Sequence, residues 1–258
     1  MTPASSLPLL AGVTAAVFFA VRRALTPGEK LGAILGIAVG IAPAAWVMAA
    51  RQVPSKLVVG YAVLFFAASV LLKWAVHRNV LSKHIHPKVR PPSGAVLQGS
   101  FSAACELGVA LSAFHFFLPG LSFWEVFGFG AGAAAVEALM VSLMSNAHAG
   151  NAEGSHVDAQ LATMRAGPRW LCAAVPPMER AIATTGHIAC RGLVAAALAS
   201  DQWWPAAVAF AVFAATDGLA WYALQRKWAF GRPAVALRFY GLLSIPALAA
   251  AFAWSAAL

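Results

Sequence analysis

The chain has 258 residues, of which 61% are hydrophobic and only 10% charged, and its mean hydropathy is +0.75. A soluble domain carries about 25% charged residues, so a soluble fold is excluded and a polytopic helical membrane protein is expected. The net charge of +9 does not point to nucleic acid, because the Lys and Arg residues lie in short connectors between apolar runs, as anchors facing anionic lipid do.

A bilayer core is crossed by about 20 helical residues, and on that ruler the chain divides into segments at about 6 to 22, 31 to 50, 57 to 76, 95 to 118, 125 to 145, 178 to 199, 204 to 225 and 234 to 258. The expected fold class is all-α, one bundle of about eight transmembrane helices forming a single membrane domain over 1–258, with three N-terminal spans in 1–94, a core over 95–225 and a C-terminal span over 226–258. Met1 to Leu10 carries no basic residue, whereas Arg22 and Arg23 follow the first apolar run. A cleaved signal peptide has the reverse order, so an uncleaved first span is expected.

Connectors rich in Pro, Gly and charge punctuate the runs, as in Thr26-Pro27-Gly28-Glu29-Lys30 and His86-Pro87-Lys88-Val89-Arg90-Pro91-Pro92. Alternate connectors hold Arg22, Arg23 and Lys30; then Arg78, Lys83, Lys88 and Arg90; then Arg165 and Arg169; then Arg226, Lys227 and Arg232. The opposite set holds only Arg51 and Lys56. The positive-inside rule then places both termini outside the cytoplasm of a bacterial inner (plasma) membrane. The longest connector, Asn146 to Pro177, contains an amphipathic stretch, Gln160 to Val175, that lies along the inner surface or dips into the protein.

Only nine residues are acidic, and Glu106, Glu137, Glu179 and Asp217 fall inside or at the edge of apolar runs, where an ionisable group marks a functional site or an interhelical lock. Counted from the cytoplasmic ends, Glu106 lies about 11 residues deep, Glu137 about 8, His187 about 9 and Asp217 about 8, which is roughly 12 to 17 Å at 1.5 Å per residue. Four groups on four helices thus share one layer and are expected to meet in one hydrated or metal-filled pocket.

In the fifth segment, Gly128, Gly130 and Gly132 with Ala133, Ala134 and Ala135 give a small-residue surface, and Gly130, Ala133, Ala134 and Glu137 share a face. Plain helix packing is the simpler account of the glycines, and Glu137 reads equally as a buried hydrogen-bonded acid. In the sixth segment, Arg180, Thr184, His187 and Arg191 lie on one stripe, and Glu179 with Arg180 reads as an ion pair with partners on neighbouring helices. His187 is suited to ligating a metal or moving protons, or to a structural hydrogen bond. Cys105 and Cys190 are soft zinc ligands or small core residues. His115 sits near the outer end of its helix, and His77, His84, His86, His148 and His156 lie in connectors. No H-E-x-x-H, G-x-S-x-G or phosphate-binding glycine loop occurs.

The stretch Met178-Glu179-Arg180-Ala181-Ile182-Ala183-Thr184-Thr185-Gly186-His187-Ile188-Ala189 resembles the E-R-x-x-A-x-x-x-H-I-A helix of the YhfC family, polytopic proteins regarded as intramembrane metalloproteases. Gly128 to Gly132 with Val136-Glu137-Ala138 is similar to that family's G-x-G-H-G-x-x-E-A helix, Ala104-Cys105-Glu106-Leu107-Gly108 to its E-E-x-G-R helix, and Asp217 stands where the family has a late H-x-x-x-D element. The likeness runs over about residues 95 to 225 in the right order. Four family positions differ: Cys105 replaces a glutamate, Val109 an arginine, and Ala133 and Phe213 histidines.

The resemblance implies an intramembrane metal-dependent hydrolase in which Glu137, His187 and Asp217 hold zinc and Glu106, Glu137 and His187 form the catalytic set, with a membrane protein, peptide or lipid-linked group as substrate. The four replacements favour the alternative, a catalytically inactive membrane subunit or scaffold with stoichiometric partner subunits in the bilayer. A proton or ion pathway is a third class, with only His115 and Glu125 extending the layer outward. A b-type haem would need two facing mid-membrane histidines, and His187 is the one clear case.

Overall fold

The computed structural model describes residues 26–85, 88–148 and 163–257. Seven helices long and apolar enough to cross a membrane occur among them. They are α1, Pro27–Ala50; α2, Ala62–Val76, flanked by π-helical stretches Lys56–Tyr61 and His77–Ile85; α3, Pro91–Ser112, continued by a π-helical Ala113–Phe117; α4, Phe123–His148; α5, Arg169–Ser200; α6, Trp204–Gln225; and α7, Pro233–Ala256. The architecture is all-α and polytopic, as composition requires. The expected first span at about 6 to 22 lies outside the described residues, as do His86, His156 and the start of the Gln160 stretch.

Helix starts follow local chemistry. Thr26 and Glu29 form a reciprocal capping box at the head of α1, with Pro27 in the first turn, and prolines open α3, α6 and α7, where the missing N–H has no intrahelical partner to lose. Glu29 is buried there and accepts from Arg165 at 2.6 Å. Asp201 ends α5 in the left-handed conformation at φ 54°.

The sixth segment differs from its expected extent. The helix begins at Arg169 and carries Pro176 and Pro177 inside it. The Pro176 ring packs on α1, where a Cβ placed at Gly32 would lie 3.1 Å from its Cγ, so contact between helices offsets the break a proline imposes. Leu171, Cys172 and Val175 are thereby buried against Phe230, Phe239 and Tyr240, and this part of the Gln160 to Val175 stretch enters the protein.

Small residues bring the backbones together in the absence of a hydrophobic drive between helices in lipid. A Cβ at Gly99 of α3 would sit 2.0 Å from the carbonyl oxygen of Ala214 of α6, and one at Gly130 of α4 would sit 2.7 Å from Cα of Ile188 on α5. Outward-facing Leu64, Leu71, Val96, Ile245 and Phe252 are exposed, as a lipid-facing surface requires. Arg51 packs on the Trp124 ring, 4.1 Å from its centroid, an aromatic and basic anchor of the kind found at membrane interfaces.

Candidate functional site

Five helices deliver ionisable groups to one place. Phe66, Val70 and Lys73 form an i, i+4, i+7 stripe on α2, Ser102 and Glu106 stand one turn apart on α3, and Glu137 projects from α4, His187 and Arg191 from α5, and Asp217 from α6. Lys73, Glu106, Glu137, His187 and Asp217 line a cavity of about 300 Å³. The remaining wall is mostly apolar, including Phe66, Val70, Met140, Ile182 and Phe213.

The polar groups form a continuous chain. Lys73 donates to one oxygen of Glu106, and Arg191 Nη2 donates to the other at 2.9 Å. Arg191 Nη1 lies 2.6 Å from Nδ1 of His187. A guanidinium only donates, so Nδ1 is the acceptor and the ring proton sits on Nε2, where it is donated to Glu137. The other Glu137 oxygen accepts from Arg180 Nη1 at 2.9 Å, and Arg180 Nη2 donates to Glu179 at 2.7 Å. Asp217 accepts from the Ser102 hydroxyl, and Lys73 Nζ is 4.0 Å away.

Burial makes these pairings matter. Glu106 is 4% exposed, His187 4% and Arg191 2%, and a charge so placed is held only when its partners satisfy it. The Phe66 and Phe213 rings meet His187 edge-on at centroid distances of 6.2 and 5.7 Å. Phe213 thus supplies part of the apolar wall beside the imidazole.

The residues singled out from sequence therefore line one cavity: Glu106, Glu137, His187 and Asp217 all border it. Cys190 borders it too, while Cys105 is a buried free thiol. His115 is exposed and packs on Phe116 at 4.5 Å, at the far end of its helix, and Glu125 caps α4 through Ser122. Three members escaped the sequence reading of the pocket: Lys73, Ser102 and the bridging role of Arg191.

Zinc needs about three ligand atoms with free lone pairs and an open position for water. Both His187 nitrogens are engaged, both Glu106 oxygens face cations, and Lys73 stands between Glu106 and Asp217. Among the described residues no group of three His, Cys, Asp or Glu side chains gathers to hold a metal. This donor set fits a dication poorly, because three side-chain cations already occupy the places it would take. No protein-family model, curated protein or solved structure matches this chain.

Proposed function

We propose that the chain is a non-catalytic multi-pass membrane protein, a subunit or scaffold whose buried charges lock five helices around an interior binding cavity. The observation that supports it is the closed chain from Asp217 through Lys73, Glu106, Arg191, His187 and Glu137 to Arg180 and Glu179, which leaves His187 without a free lone pair for a metal or for a substrate proton. Buried ionic networks of this kind specify which helix faces meet. In this reading the chain is a divergent relative of the YhfC family that keeps the helix-packing positions and has lost the chemistry. The membrane is the bacterial inner membrane, with the basic connectors on the cytoplasmic side.

One observation favours a second reading, an intramembrane hydrolase acting on a membrane protein or peptide: Glu137 and His187 are in direct contact and both border the cavity. The two readings separate on purification of the full chain in mild detergent. A stable stoichiometric partner, retained in His187→Gln, is the expected result. A lone chain that cleaves membrane peptides, with cleavage lost in His187→Gln, contradicts it.

A further inference from the structure

The turn between α6 and α7 carries a residue that its backbone does not favour. The N–H of Trp228 donates back to the Ala223 carbonyl and that of Lys227 to Leu224, the paired bonds of a helix end whose outer residue turns left-handed. Glycine is the usual occupant of that place. Here Lys227 holds it at φ 52°, with its Cβ crowded against the following carbonyl. Backbone strain of this kind clusters at functional positions.

The strained lysine belongs to a basic corner of the bundle. A Cβ at Gly231 would lie 1.9 Å from the Thr163 carbonyl oxygen, and one at Gly167 2.2 Å from that of Gly231, so the α6–α7 turn and the turn ahead of α5 are in backbone contact. The contact brings Arg226, Lys227 and Arg232 to the side of Arg169, and all four are exposed. None of them has a carboxylate partner among the described residues. Glu29, the acid that α1 brings to this corner, is taken by Arg165 and Thr26.

The surroundings indicate which anion these cations meet. From this corner α5 and α7 run on as apolar spans. Trp170, 49% exposed beside Arg169, places an indole where head groups lie, and Leu237, 53% exposed, offers an apolar side in the first turns of α7. A phosphodiester with acyl chains meets cations and helix sides together, whereas a soluble anion meets the cations alone.

We propose that this corner binds an anionic phospholipid, its phosphate held by Arg169, Arg226, Lys227 and Arg232 and its acyl chains lying along α7. The inference goes beyond the scaffold reading and stands independently of it.

The test uses the full chain in zwitterionic detergent micelles, titrated with phosphatidylglycerol, phosphatidylcholine and glycerophosphate, with bound lipid counted by native mass spectrometry. Saturable binding of phosphatidylglycerol is expected, with phosphatidylcholine weaker and glycerophosphate without effect. Lys227→Gly is expected to weaken that binding about fivefold, the usual effect of one cation at an anionic membrane surface. The same variant is expected to hold or raise the unfolding temperature in lipid-free micelles, because glycine relieves the left-handed residue. Arg232→Gln is expected to weaken binding comparably, and Lys56→Gln, in a connector of the opposite set, to leave it unchanged. Equal binding of the two lipids, competition by glycerophosphate, binding unaltered in both corner variants, or an equal loss in Lys56→Gln overturns the inference.

Discussion

Glu106 accepts from Lys73 with one oxygen and from Arg191 with the other, so its charge is what permits Arg191 to stay buried and Lys73 half-buried on two other helices. Glu106→Gln is expected to destabilise the fold by about 3 to 5 kcal/mol, the usual cost of breaking a buried pair. Thermal or denaturant unfolding in detergent reads this, and a loss under about 1 kcal/mol would show that the network is not a lock. Asp217→Asn removes the weakest link, the carboxylate 4.0 Å from Lys73, while keeping an acceptor for Ser102, and its stability is expected within about 1 kcal/mol of the parent. The four residues legible in sequence were those where an ionisable group interrupts an apolar run. Lys73 was not, because it lies close to the basic connector and reads as a snorkelling anchor. Arg191 was visible on the His187 stripe, but its partner Glu106 is 85 positions away and no periodicity points across that distance.

Helices meet here through glycine, and the three glycines of α4 serve different neighbours. Gly130 approaches Ile188 of α5, whereas Gly132 faces the carbonyl oxygen of Val58 and Gly128 faces Val53 and Val58. The sequence groups them as one small-residue surface; the bundle distributes them over two sides of the helix. Gly130→Leu would push α4 from α5 and separate Glu137 from His187, so a marked fall in unfolding temperature is expected. Gly108→Ala, whose Cβ meets nothing within 4 Å, is the control and, because alanine favours a helix over glycine, is expected not to lower that temperature. Comparable losses in both would argue against a close crossing at Gly130 as the cause, since helix propensity alone favours both substitutions. The starts of α6 and α7 were legible, expected at about 204 and 234 and found at Trp204 and Pro233, whereas α3 begins at Pro91, ahead of the expected 95, because Pro91-Pro92 opens the helix instead of belonging to the connector. The start of α5 was not, since Pro176 and Pro177 signal a break that contact with Gly32 and Gly36 of α1 offsets.

As a whole, the molecule is a bundle in which ion pairs tie α2, α3, α4 and α5, a hydroxyl–carboxylate contact ties α6 to α3, and small-residue or aromatic packing attaches α1 and α7. That it is helical and polytopic followed from composition and run length alone; that its buried charges are mutually satisfied did not, because partner choice depends on helix order and rotation. The basic connectors predict topology: single cysteines placed at Lys83, Arg165 and Arg226 should resist a membrane-impermeant thiol reagent in intact cells, and one at Arg51 should react. The reverse pattern would overturn the orientation. The central claim is that side-chain cations occupy the places a metal would take. Metal analysis of the full chain, purified without chelator and beside His187→Ala, tests it most directly. The account predicts zinc far below stoichiometric in both proteins. About one zinc per chain, lost in the variant, would contradict it.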